Sequence, residues 1–227
     1  MKAQVGKTYL TGIPHNGSTI SFQHPAFRGT YESVAGQIDK EGLQRPTSPE
    51  TASLVYDVFQ NPEGEYESEI VNILRNNWFW EFTGNLYLPK SNDEVNDGVI
   101  IEQNPQIVKG RLSMDKQSLV KRLQDGDQSV KFVPFGFKID EQSVFDLMKN
   151  PYIIARYGKE GAEKIVEVAS KYKKSPKLWS FNSVDTETPR LSALNGNRSF
   201  DDGLHVNGGS WIGDNDSRAF GKLKEAA

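Results

Sequence analysis

The chain has no cysteine. That absence removes disulfides, thiolate zinc sites and cysteine nucleophiles together. It leaves the compartment open, since a reducing cytosol and a cell exterior both accept such a sequence. An excess of positive charge is also missing: 27 Lys and Arg stand against 30 Asp and Glu, a formal net charge of -3, with the two signs interspersed. Neutralising a phosphate backbone calls for a basic stripe, so nucleic acid is not an expected partner. No apolar run approaches the ~18 residues of a membrane span. The start, Met1-Lys2-Ala3-Gln4-Val5-Gly6-Lys7, lacks the apolar stretch of a signal peptide. Membrane insertion is therefore not expected, and the location is cytoplasmic, virion-associated or held at a cell surface by a partner.

Catalytic signatures are equally sparse. The three histidines, His15, His24 and His205, share no metal-ligand spacing with one another or with a carboxylate pair on a helix. There is no Gly-x-Ser-x-Gly elbow, no phosphate loop and no dinucleotide-binding Gly-x-Gly-x-x-Gly. Asp214-Asn215-Asp216-Ser217 offers calcium oxygens without the rest of a twelve-residue EF-hand loop, and it reads as a solvated turn. No cofactor or metal is expected. Two carboxylates suffice for a glycosidase, so a carboxylate-based hydrolase survives as an alternative with no nameable pair.

What is present is ordinary globular composition, 36% hydrophobic and 25% charged over 227 residues, enough for one core. With no internal repeat and no linker composition, residues 1–227 read as a single α+β domain. Residues 1–46 are broken by Gly12, Pro14, Gly17, Pro25, Gly29, Gly36 and Gly42 and read as irregular strands and loops. Thr47-Ser48-Pro49-Glu50 is a capping box opening a helix with Leu54, Val55, Val58 and Phe59 inward. A second helix covers Glu65 to Asn76. The segment Trp78 to Tyr87 is the densest in aromatics, and most of its rings are expected in the core. Val99-Ile100-Ile101 reads as a buried strand. Ser113 is placed as the cap of a helix carrying Leu119, Val120 and Leu123. Lys131 to Ile139 reads as a strand whose Pro134 demands an edge or a bulge. Asp140 is placed as the cap of a short helix ending before Asn150-Pro151, and two helical pieces follow, the second from Glu160 to Tyr172.

After Pro176 the texture becomes β-prone, at Leu178 to Phe181, Arg190 to Leu194 and Arg218 to Leu223. Between them lies a stretch dominated by Gly, Asn, Asp and Ser that also carries Arg198, Phe200, His205, Trp211 and Ile212. Large contact side chains set among small polar ones are the composition of a paratope. The candidate ligand-binding surface, within about 192–217, is Asn195, Asn197, Arg198, Ser199, Phe200, Asp201, Asp202, His205, Asn207, Ser210, Trp211, Ile212, Asp214, Asn215 and Asp216. Trp211 fits either a core or an exposed place. Leu191, Ala193, Leu194, Val206 and Phe220 are the apolar neighbours expected to support that surface from below, while Asn195, Asn197, Arg198, Asp201, His205, Asn207 and Asp214 need not be buried.

Gly42-Leu43-Gln44-Arg45-Pro46-Thr47 leading into a helix, with Gly208-Gly209-Ser210-Trp211 and then Arg218-Ala219-Phe220-Gly221 far downstream, resembles the prokaryotic C-type-lectin fold. Formylglycine-generating enzymes share that fold, but their cysteine chemistry has no counterpart here. Within it the chain looks most like the variable proteins of diversity-generating retroelements, in their archaeal or archaeal-virus branch. The resemblance implies an irregular N-terminal β region, helical insertions from Ser113 to Tyr172, a β-rich C-terminal variable region and paired terminal strands. It also implies a function: binding a protein or cell-surface partner, without catalysis, through a surface rewritten by adenine-directed reverse transcription. A monomer is the default. The runner-up is a conventional carbohydrate-binding lectin, with Trp78, Trp80 or Trp211 stacked on sugar and Asp214 and Asp216 holding calcium.

Overall fold

The computed structural model describes residues 8–108, 111–196, 202–210 and 216–224. Strands β1 (Thr8–His15) and β2 (Ser18–Arg28) form an antiparallel hairpin closed at His15↔Ser18. Asn16 and Gly17, both at positive φ (48° and 77°), make the two-residue turn that strand twist favours. Helix α1 (Tyr31–Lys40) then stands where only strands and loops were expected. Thr30 Oγ1 accepts from the Ser33 amide, and Tyr31, Val34, Ala35 and Ile38 are buried at helical spacing. That stripe was in the sequence; the glycines on either side of it and within it masked the period.

Helix α2 (Ser48–Val58) begins as the capping box demands, with Glu50 Oε2 accepting from the Thr47 amide at 2.8 Å. The same carboxylate takes the ammonium of Lys222 at 2.5 Å, which fastens the start of α2 to the last strand. Helix α3 (Glu65–Asn76) turns Ile70, Val71, Ile73 and Leu74 inward. Strand β3 (Phe79–Leu88) is buried at every position. It pairs with β4 (Gly98–Gln103), and β7 (Val130–Pro134) pairs with β4 alone, the edge position that Pro134 requires. Between these strands lie a small hairpin of β5 (Gln106–Val108) and β6 (Arg111–Ser113), and helix α4 (Lys116–Gln124). Two cap assignments need correction. Asp115, not Ser113, caps α4, its Oδ2 accepting from the Ser118 amide at 2.8 Å. Ser143, not Asp140, caps α5 (Val144–Lys149), because Asp140 lies in the two-residue strand β8 (Asp140–Glu141).

Helix α6 (Pro151–Ala169) is two helical pieces in series, joined at Gly158, whose φ of 70° and ψ of 172° interrupt the helical ladder. The chain closes with β9 (Lys177–Trp179), β10 (Thr188–Asn195), β11 (His205–Ser210) and β12 (Arg218–Lys222). The main sheet runs β1-β2-β12-β3-β10-β11-β9-β8, with β4 attached to β3 and β7 to β4. Strand β12 lies antiparallel to β2 and parallel to β3, so the first and last parts of the described chain are paired.

The sheet separates two apolar layers. On one side α2 and α6 pack Leu54, Val55, Tyr152, Ile153 and Ile165 against Phe79, Leu194, Val206 and Phe220. On the other, Tyr31, Val34 and Ile38 of α1 cover Trp80, Phe82, Leu191, Ala193 and Ala219. Helix α4 seals a smaller cluster of Leu86, Leu88, Ile100 and Val130 with Leu119. The middle helices are therefore part of the core, and no described helix is long and apolar enough to cross a membrane.

Candidate functional site

Strand alternation sorts the C-terminal residues by face. In the β10–β11 pair, Leu194 stands opposite Val206, and both side chains are fully buried in the α2/α6 layer. Their neighbours Ala193↔Asn207 and Asn195↔His205 point to the other face. All the supporting residues named from the sequence, Leu191, Ala193, Leu194, Val206 and Phe220, are 0–1% exposed.

Beneath these strands lies a buried polar network that grips main chain. Arg156, fully buried on α6, donates from Nη1 to the Asn207 carbonyl (2.9 Å) and from Nη2 to the Ala193 carbonyl (3.4 Å). Its Nη2 also meets Glu81 Oε2 in an ion pair with no solvent exposure on either side, and Nε donates to Ser48 Oγ at 3.1 Å. Tyr157 donates to the same Glu81 oxygen at 3.2 Å. Tyr87 donates to the Gly208 carbonyl at 3.1 Å; Tyr152 donates to Asn85 Oδ1 at 2.7 Å, and Asn85 in turn donates to Ser192. Burial pushes the Tyr87, Tyr152 and Tyr157 phenols up from their ordinary range, so they stay protonated donors. Burial also pushes the Glu81 carboxyl up, with Arg156 and Tyr157 opposing it. Gln103 holds the Arg156 carbonyl at 2.8 Å, just before the kink at Gly158, and so fixes where the guanidinium enters.

The same network accounts for a glycine of the Gly-Gly-Ser-Trp element. A Cβ on Gly208 would lie 1.9 Å from the Tyr152 hydroxyl and 3.0 Å from that of Tyr87, so the residue is set by this close approach. Gly196 is placed similarly: its amide donates to the Leu74 carbonyl at 2.7 Å, and a Cβ would lie 2.2 Å from the Tyr172 hydroxyl.

The candidate surface residues that are described fall into three groups. Two that need not have been buried are buried, which corrects the expectation that they project outward. Asn195 is 8% exposed, its Nδ2 donating to the Asn77 carbonyl at 2.8 Å, and His205 is 4% exposed, edge-on to the Trp179 ring at 5.9 Å. Both are drawn in by neighbouring strand ends. Asp202, Asn207 and Ser210 are half-buried, and Asn207 Oδ1 accepts from the Gly209 amide at 2.8 Å. Asp216 is exposed; a hydrogen bond from Arg218 at 2.8 Å, with Arg28 beside it, holds its carboxyl below the usual carboxylate range. Asn77 draws the two flanks together, receiving Asn195 on its carbonyl and donating to the Asp216 carbonyl at 3.1 Å. Asn197, Arg198, Ser199, Phe200, Asp201, Trp211, Ile212, Asp214 and Asn215 lie outside the described residues. Strand β11 itself was missed, because its sequence, His-Val-Asn-Gly-Gly-Ser, has a single large apolar residue.

Of the residues named for a carbohydrate-binding lectin, Trp80 is 1% exposed and donates Nε1 to the Gly29 carbonyl at 3.2 Å, Trp78 is half-buried against the α1 layer, Asp216 is exposed, and Trp211 and Asp214 lie outside the described residues. Among the described residues no three His, Cys, Asp or Glu cluster as metal ligands. The ~700 Å³ groove between Asp93, Met114, Lys121 and Glu187 lies against α4, away from β11. The network residues Glu81 and Arg156 were not singled out from sequence. Their signal was present as one charged residue inside each of two apolar runs, Trp78 to Phe82 and Tyr152 to Tyr157.

No family model matches the chain, and no curated protein matches it. One solved structure does, from work on the accommodation of massive sequence variation in Nanoarchaeota by the C-type lectin fold. It superposes with a TM-score of 0.59 at 14% sequence identity, over 87% of this chain and 97% of the other. The likeness shows that the chain has the C-type lectin fold.

Proposed function

Starting from that fold, we propose that the chain is a ligand-binding protein, not an enzyme, that displays a C-terminal surface diversified by retroelement mutagenesis for a protein or cell-surface partner. One observation carries the reading: Arg156 of α6 and Tyr87 of β3 hold the variable-region strands by main-chain carbonyls, at Ala193, Asn207 and Gly208, contacts that do not depend on the side chains those residues carry. A surface meant to accept replacement needs its backbone held independently of its side chains. The solved structure of the same fold is described in terms of accommodating sequence variation, which agrees with this use of the scaffold.

The test is combined substitution. Asn197, Arg198, Asn207, Asp214 and Asn215 replaced together by Ser should lower the melting temperature by no more than about 10 °C, since substitutions outside caps and cores each change stability by about 0.5 kcal/mol or less, about 2.5 kcal/mol for five. A larger drop would make those residues scaffold and end the proposal. A neighbouring reverse-transcriptase gene and a near-copy of the coding region for 192–222, differing at adenines, would establish the origin of the diversity. A tight one-to-one calcium isotherm would instead favour a calcium-dependent lectin.

A further inference from the structure

A cavity of ~180 Å³ lies between β1, α2 and α3. In the order of the sheet β1 is the first strand and β11 the sixth, so this place is separate from the ligand surface proposed above. Its floor is apolar, formed by the buried side chains of Ile13, Leu54, Val58 and Ile70. An apolar cavity of about 150 Å³ takes up benzene, so there is room here for one ring. The rim is acidic. Asp57 of α2 and Glu67 of α3 line it, both half-buried, and among the described residues neither side chain has a hydrogen bond or an ion pair. Burial, and then the nearness of Glu67, hold the Asp57 carboxyl above the usual carboxylate range. Lys164 is the cation whose field reaches Asp57, but its three protons are committed: Nζ donates to the Pro14 carbonyl at 2.8 Å, Ser53 Oγ at 2.9 Å and Glu160 Oε1 at 2.5 Å. Glu67 stands in the first turn of α3, where the helix terminus favours its ionised form. Tyr9 and Tyr66 complete the walls, with Tyr66 held edge-on to the His24 ring at 5.2 Å, and tyrosine is a wall type that attracts an ammonium group.

We propose that this cavity is a binding site for a small organic cation, an ammonium or guanidinium group carried on an apolar body of about six carbons. The apolar part covers Leu54 and Ile70, and the charge is received by Asp57 and Glu67. Each half of the ligand answers a separate feature of the site. A neutral apolar molecule leaves two half-buried carboxylates without a cation, and a bare inorganic cation leaves the apolar floor uncovered. An amphiphilic cation satisfies both, and its binding stabilises the fold by relieving the repulsion between the two carboxylates. The site stands apart from the diversified-surface reading, and either can fail without the other.

The experiment titrates the isotope-labelled full chain with benzylamine, with its neutral counterpart benzyl alcohol and with benzoate, following backbone amide shifts by NMR. The expected result is saturable benzylamine shifts confined to the surroundings of Thr11, Asp57 and Ile70, with both other probes at least tenfold weaker, as the loss of a charge-assisted contact implies. The double variant Asp57→Asn, Glu67→Gln should bind benzylamine at least tenfold more weakly and benzyl alcohol within twofold of the parent. The comparison of the three probes on the unaltered chain stands even if the variant fails to fold. Benzyl alcohol binding as tightly as benzylamine, shifts centred elsewhere, no saturable shift at millimolar benzylamine, or an unchanged affinity in a folded double variant would overturn the proposal. Self-association of the chain that shields Thr11 and Asp57 from the probe would make a second copy the occupant and would overturn it as well.

Discussion

Replacing Arg156 by Met keeps much of the side-chain volume and removes only the guanidinium. Glu81 would then be left at 0% exposure with no cation and only the Tyr157 and Ser48 hydroxyls as hydrogen-bond partners. Breaking one side of a buried pair costs about 3–5 kcal/mol, because the remaining charge is uncompensated. The Asn207 and Ala193 carbonyls lose their donors in the same change. For a domain of this size about 1 kcal/mol moves the melting point by roughly 2–4 °C, so the expected drop is roughly 6–20 °C. The assay is thermal unfolding followed by circular dichroism between pH 5 and pH 8. The pH dependence has a definite sign. A carboxyl whose folded pKa is raised by burial favours the protonated folded state, so its contribution is present below the unfolded value of about 4.5 and is lost as pH rises through the folded value. Without Arg156 opposing burial the rise is larger, so the deficit should shrink toward pH 5. Adding Glu81→Gln to the variant removes the stranded charge and should recover part of the loss, as a double-mutant cycle will show. A single variant melting within about 2 °C of the parent, or a double variant less stable than the single, would refute the account of the network.

Gly208→Ala should destabilise by about 1–3 kcal/mol through overpacking against Tyr152, because that hydroxyl is held by Asn85 and the ring is stacked on Phe137; chemical denaturation reads it, and Gly209→Ala, with its nearest neighbour at 3.5 Å, is the matched control. Deleting Arg218 to Leu223 removes the strand between β2 and β3 together with the buried Phe220, and calorimetry should show no cooperative transition; a retained transition would mean that the terminal pairing is dispensable.

Local chemistry settled much of the fold in advance. The capping box at Thr47 fixed where α2 starts, the apolar period fixed α3, and Pro134 placed β7 at an edge, because each depends on backbone geometry within a few residues. The supporting residues of the C-terminal strands were legible for a similar reason: a short apolar alternation has one way to be buried. Three things were decided only by tertiary structure. Helix α1 forms because Tyr31, Val34 and Ile38 find Trp80 and Phe82 across the sheet, which outweighs its glycine-rich surroundings. Strand β11 exists because β10 and β9 flank it and Arg156 and Tyr87 hold its carbonyls; its own sequence has almost no strand preference. Asn195 and His205 are buried, and Trp179 exposed, through pairings between segments distant along the chain. Composition could mark the C-terminal stretch as a surface for contact, but which of its side chains face outward is set by register, and register belongs to the assembled sheet.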